Sequence, residues 1–115
     1  MEREHLQHMN TVLNHKKQEL ETGVAQMQTD LATMPQNLAD PADQATLSTD
    51  RQFALLRQQR LLHELREVEQ TLSQLANGEY GLCEECGEEI GLARLTARPS
   101  ARLCIDCQEH LERAA

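Results

Sequence analysis

The chain has 115 residues, a net charge of −8 at pH 7 and a sequence pI near 5.0. So acidic a chain lacks the basic surface that holds duplex DNA, so direct sequence-specific DNA binding is not expected. No apolar run is long enough for a membrane span, and one Phe, one Tyr and no Trp rule out an aromatic-rich core. What remains is mostly Leu, Ala, Val and Met, the residues of helix–helix seams. The first ten residues, MEREHLQHMN, carry charge and lack the apolar centre of a signal peptide. The expected compartment is the cytoplasm, where paired cysteines point to metal rather than to disulfides.

In residues 1–34, Leu6, Leu13, Leu20, Met27 and Met34 recur at steps of seven. Asn10, Lys17, Val24 and Leu31 interleave at alternating steps of four and three. This is an a/d heptad pattern, polar at its first two a positions, and it predicts one long helix. Gly23 costs about 1 kcal/mol against Ala without ending it.

Residues 37–46, NLADPADQAT, interrupt the pattern with two aspartates and no basic residue. Asp40 fits an N-cap, Pro41 the first helical position and Asp43 the third, as in a capping box. Capping and the helix dipole explain both carboxylates. A capping carboxylate at an exposed turn still keeps free lone pairs, so a second role there stays open.

The second run covers about residues 41–77. Leu61, Leu65, Val68, Leu72 and Leu75 step by four and three, while Phe53, Leu55 and Leu56 shift the stripe and predict an irregular seam upstream. ANGEYG stops the helix at Asn77 and Gly78. Two heptad helices joined by a short turn should fold back on each other. The expected fold is all-α dominated: an antiparallel coiled-coil hairpin over 1–77, its tip at 37–46, and a small four-cysteine zinc-finger domain with a C-terminal helix over 78–115. A monomer is expected. Leu20 and Leu65 should lie in the seam.

All four cysteines fall in the last third, as Cys83-Glu-Glu-Cys86 and Cys104-Ile-Asp-Cys107 with 17 residues between the pairs. Two such pairs read as one tetrahedral Zn²⁺ site of four thiolates. The competing readings are a redox pair, for which one CxxC suffices, and two disulfides, which need an oxidising compartment. Four thiolates leave no open coordination position, so the expected zinc is single and structural. Arg94, Arg98 and Arg102 lie between the pairs and either neutralise the site and its acidic flanks or form an anion site. Residues 78–115 carry eight acidic side chains against four arginines, and Tyr80 is the one possible stacking platform for a nucleic acid.

His5, His8, His15, His63 and His110 form no metal box; His5 and His8, at i and i+3, read as solvated helix surface. No nucleophile–base pair, phosphate loop or dinucleotide fingerprint is present, and no enzyme activity is expected.

A coiled-coil hairpin with an acidic tip, followed by GEYGLCEECGEEIG and LTARPSARLCIDC, resembles the DksA/TraR family of bacterial transcription regulators. The resemblance covers about residues 37–110; the first helix matches in pattern more than in letters. It implies a protein that binds RNA polymerase through the secondary channel. The tip would approach the catalytic centre and alter promoter-complex stability without making or breaking a bond. The residues that match the family's tip are Asp40, Asp43 and Ala45. The resemblance also implies a contact between Arg98 and ppGpp, the alarmone of the stringent response. The two other basic positions fall on Glu67 and Gln108, and a carboxylate and a neutral amide weaken polyphosphate binding strongly. The chain begins almost directly with the coiled-coil helix. The family's N-terminal segment, which packs on the zinc domain, is therefore expected to be missing or very short, and the finger to pack on the hairpin base near residues 1–15 and 70–80. Two other classes fit part of the pattern: a Gre-like transcript-cleavage factor, and a zinc-dependent coiled-coil adaptor for another partner.

Overall fold

The computed structural model describes residues 2–114. Four helices follow in order: α1 (Arg3–Thr33), α2 (Pro41–Asn77), α3 (Leu92–Ala97) and α4 (Ile105–Ala114). Among the described residues there is no strand, and a single bridge pairs Leu82 with Glu89. Among the described residues, no helix is long and apolar enough to cross a membrane. The chain divides into two compact units, one of Met1–His15 with Glu67–Ala115 and one of Lys16–Arg66. The architecture is the expected one, a coiled-coil hairpin with a small cysteine-bearing domain.

The burial pattern follows the heptads, with corrections at both helices. On α1, Leu13, Leu20 and Val24 are buried and Lys17, Met27 and Leu31 half-buried. Asn10, placed in the seam by its spacing, is exposed, and Met9 is buried instead. Met9 turns inward because it has an apolar partner, the cluster of Tyr80, Cys83, Ile90 and Leu95. The half-buried Lys17 keeps its ammonium near the Glu21 carboxylate at 3.9 Å, an exposed i, i+4 pair of small energetic weight.

On α2 the inward series runs unbroken from Gln44 through Leu47, Arg51, Ala54, Gln58, Leu61, Leu65, Val68 and Leu72 to Leu75. The expected irregularity around Phe53 is absent. Phe53, Leu55 and Leu56 lie outside the stripe and are exposed, Phe53 by 59%. The 3.5-residue spacing fixes which side chains meet the partner helix, and polar Gln44, Arg51 and Gln58 occupy seam positions in preference to the apolar trio. Leu65 is half-buried rather than fully enclosed.

In the Lys16–Arg66 unit, α1 and α2 pack around these positions. A Cβ built on Gly23 would meet Leu61 Cδ1 at 3.7 Å, an ordinary van der Waals contact. In the other unit the finger core is small. Met9, Tyr80, Cys83, Ile90 and Leu95 cluster, with Leu6, Leu75, Ala101 and Leu103 packed against them, so the finger rests on the first turns of α1 and the last of α2. The end of α2 is closed by Gly78 at φ 73. The Glu79 N–H donates to Gln74 O at 2.9 Å and the Gly78 N–H to Leu75 O at 3.3 Å. This is a Schellman motif, which needs the left-handed residue that glycine supplies.

The register makes three mutational predictions. Leu13, 2% exposed, should lose about 2–5 kcal/mol on truncation to Ala, whereas Phe53→Ser should change stability by under about 0.5 kcal/mol. Gly23→Ala should stabilise the chain by about 1 kcal/mol, since it improves helix propensity and meets an ordinary contact. Urea denaturation of the three variants checks the assignment; a large loss for Phe53→Ser would place the seam elsewhere.

Candidate functional site

The four cysteines converge. Their Sγ atoms all lie within 4.8 Å of one another, a group that could hold a metal ion. A tetrahedral Zn–S distance of about 2.3 Å sets the S···S edge near 3.8 Å, and Cys86 and Cys104 Sγ are 3.9 Å apart. The donor set therefore fits zinc. No disulfide joins the cysteines.

Local backbone explains the convergence. The first pair sits on a tight turn: the Cys83 N–H donates to Glu88 O at 2.8 Å and the Gly87 N–H to Cys83 O at 2.9 Å, with Gly87 at φ 73. The second pair begins α4. Cys104 stands immediately before the helix, and its Sγ accepts the Cys107 N–H at 3.4 Å, as an N-cap oxygen would. The Glu84 N–H donates to Arg102 O at 3.0 Å and ties the two segments together.

Crowding perturbs the thiols in opposite directions. Burial opposes ionisation of Cys83, but the N–H groups of Cys86, Cys104 and Glu85 outweigh it and bring its pKa from 9.0 down to about 6. Hydrogen bonds from its sulphur to Cys104 and Cys83 push Cys107 well up. For Cys86 the Glu88 N–H favours the thiolate, yet the neighbouring Cys83 sulphur, burial and Cys104 together raise its pKa. Cys83 ionises readily while Cys86 and Cys107 hold their protons, and a divalent cation is what would make thiolates at all these positions compatible.

The arginines between the pairs divide. Arg94 donates from Nε to Leu103 O at 3.0 Å, and Arg102 lies 3.6 Å from the Glu84 carboxylate and donates to Gln70 Oε1 at 3.4 Å. Both brace the fold. Arg98 is exposed, and among the described residues its guanidinium has no hydrogen bond or ion pair. Tyr80 is not a stacking platform: it is buried, its hydroxyl donates to Pro99 O at 3.0 Å, and burial raises its pKa. His5 is not solvated surface either. It is half-buried, with Nε2 enclosed and unpartnered, beside a groove of about 520 Å³ lined by Tyr80, Leu82 and Leu92.

At the tip the two aspartates behave differently. Asp40 Oδ1 accepts the Ala42 N–H at 2.8 Å and Asp40 O accepts the Gln44 N–H at 2.9 Å, a complete N-cap. The side chain of Asp43, expected to close a capping box, makes no hydrogen bond among the described residues and is exposed. Ala45 is exposed beside it. Composition gave no sign that the loop before Asp40 is braced. The Arg51 guanidinium donates to Pro35 O, and the Leu38 N–H donates to Gln44 Oε1 at 2.7 Å. A polar residue at two seam positions one heptad apart was the available signal.

Residues 5–78 match the N-terminal domain of the DnaK suppressor protein DksA, and residues 78–113 match the prokaryotic dksA/traR C4-type zinc finger. The chain belongs to the DksA/TraR family. It is 38% identical over 112 residues to the RNA polymerase-binding transcription factor DksA of Haemophilus influenzae, covering 94% of this chain and 74% of that protein. The DksA of Caulobacter vibrioides is 45% identical over 78 residues, 68% of this chain and 55% of that one. The chain thus spans from about half to three quarters of the length of these DksA relatives. The solved transcription factor DksA2 of Pseudomonas aeruginosa superposes with a TM-score of 0.86 at 33% identity, covering 98% of this chain and 87% of that one.

Zinc loading of this DksA-type finger should weaken as pH falls. Thiolates must be unprotonated to bind, so the raised thiols of Cys86 and Cys107 must each release a proton as the metal enters, and in acid the Cys83 thiolate is lost as well, as pH drops through about 6. Competition with a chromophoric chelator at pH 6 and pH 8 should show the affinity falling in acid, and chelation should melt the finger while much of the helical signal remains. A pH-independent affinity would contradict four-thiolate ligation.

Proposed function

We infer that this chain is a non-enzymatic transcription regulator that binds RNA polymerase. Its coiled-coil hairpin would enter the secondary channel, and its tip residues Asp40, Asp43 and Ala45 would act near the catalytic centre to change promoter-complex stability. One structural zinc ion would be held by Cys83, Cys86, Cys104 and Cys107. The protein would work as a cytoplasmic monomer.

The observation that carries the reading is the division of labour at the tip of a DksA-family hairpin. Asp40 spends its side chain on the helix, while Asp43 keeps a solvated carboxylate with no partner among the described residues. A free carboxylate is a hard oxygen ligand for Mg²⁺ and an acceptor for Arg or Lys, both suited to a polymerase centre and its mobile loops. Two further observations support the reading. Family-model matches cover residues 5–113, and the relatives' names record RNA polymerase binding. For ppGpp, the exposed Arg98 supplies one cation; Glu67 and Gln108, at the other two family positions, weaken such a site.

Asp43→Asn tests the role of the charge. Asparagine preserves shape and the polar oxygen, so folding should lose under about 1 kcal/mol, and polymerase binding through the coiled coil should survive. The effect on open-complex half-life at a ribosomal RNA promoter should fall by about tenfold or more, the scale of one charge-assisted hydrogen bond. Affinity and half-life measured on one preparation decide it: unchanged regulation would reduce Asp43 to a surface residue of the first turn.

A further inference from the structure

The loop between α1 and α2 is held from outside itself. Among the described residues, no backbone–backbone hydrogen bond involves residues 35–39. Two of its backbone groups are instead bonded by side chains of α2: Pro35 C=O accepts from the Arg51 guanidinium, and the Leu38 N–H donates to Gln44 Oε1 at 2.7 Å. Gln44 and Arg51 are half-buried and lie one heptad apart in the inward series of α2. An apolar side chain at either position would serve the seam better, yet neither would reach a loop carbonyl or amide. Arg51 also lines the groove of about 430 Å³ beneath the loop, with Leu31, Met34, Gln36 and Asn37. A loop of this length without internal bonds samples many conformations unless such contacts restrict it.

We propose that Arg51 and Gln44 are positioning residues that hold loop 34–40 in one arrangement and thereby fix how Asp40 and Asp43 are presented. The value of the clamp for regulation rests on the polymerase reading above; the clamp itself does not. Arg51 acts as donor and Gln44 as acceptor, so the two grip opposite polarities of the loop backbone, three residues apart in sequence. Asp40 is the junction: its own carbonyl begins α2, and the loop that delivers it is the part the clamp restrains.

The test uses the full chain with Arg51→Met, Gln44→Met and Gln44→Glu. Methionine keeps an apolar stem for the seam and removes the polar contact, whereas glutamate at 44 retains an acceptor for the Leu38 N–H. By NMR, exchange of the Leu38 amide should accelerate about tenfold in Gln44→Met, which removes its hydrogen bond directly, and should also accelerate in Arg51→Met, where loss of the Pro35 contact frees the loop that carries it. It should stay near the wild-type rate in Gln44→Glu, with the amides of Leu13 and Val68 unchanged in all three. The methionine variants should bind polymerase with wild-type affinity and lose most of the effect on open-complex half-life; Gln44→Glu should keep it. Unaltered Leu38 exchange in both methionine variants would overturn the clamp. Accelerated exchange with full regulation would overturn the positioning role. A wild-type chain that leaves the half-life unchanged would sink the polymerase reading, and the exchange rates would still decide whether the clamp exists.

Discussion

The finger depends on one small contact set, the packing of Leu95 among Tyr80, Cys83, Ile90 and Met9. Among the described residues, Leu95 is the one large side chain wholly withdrawn from solvent. Leu82, Leu92, Ile105 and Leu111 remain exposed, and no residue of α4 is fully buried. So little buried apolar surface does not order a segment of this size. What it lacks in burial the cysteines can provide as a cross-link. Cys83 belongs to the core and to the thiol cluster at once, and Cys104 both caps α4 and joins that cluster. Closing a tetrahedral site at these sulphurs would fix the start of α4 to the core of the finger, so metal affinity and folding become one free energy.

The hairpin is built on a different constraint. Its seam is chosen by spacing and is tolerant of composition: Lys17, Gln44, Arg51 and Gln58 occupy inward positions while Phe53 and Leu56 face water. An all-leucine seam would be stronger, but it would tolerate a register slip of one heptad. Polar seam residues that find partners in a single register discriminate against the slipped one. Arg51 with Pro35 and Gln44 with Leu38 are partners of that kind, since a shift of seven residues separates both pairs.

These two regimes explain what could be read from residue order. The helix ends of α2, the seam from Leu61 to Leu75 and the meeting of the four cysteines follow from local spacing, and spacing is a property of sequence. The failures came where a side chain answers to something distant. Met9 displaced Asn10 because Leu95 and Ile90, some eighty residues away in sequence, offer it a surface. Phe53 is apolar enough to suggest a shifted stripe, but the period excludes it. Tyr80 has the sequence appearance of an open ring because its bond to Pro99 crosses a loop that no periodicity describes. Asp43 looked like half of a capping box because it stands at the right offset, and the offset says nothing of whether its oxygen turns back.

That last case bears on the role proposed for the tip. Had both aspartates been tied to backbone N–H groups, neutralising either would unravel the turn, and stability and regulation could not be separated. The observed arrangement separates them. Asp40 is bound into the first turn through Ala42, and Arg51 and Gln44 restrain the preceding loop through hydrogen bonds that leave the Asp43 carboxylate out. The carboxylate of Asp43 is thus carried on the first turn of a capped helix and left with all its lone pairs. A group prepared in this way loses little conformational freedom when it meets a cation or a guanidinium, and more of the interaction energy is available to shift the partner between states. A hairpin that makes no bond and breaks none can still alter the lifetime of a complex if its charged group binds one state of the partner better than another. On the proposed reading, a tip restrained in this way would supply the means for that difference.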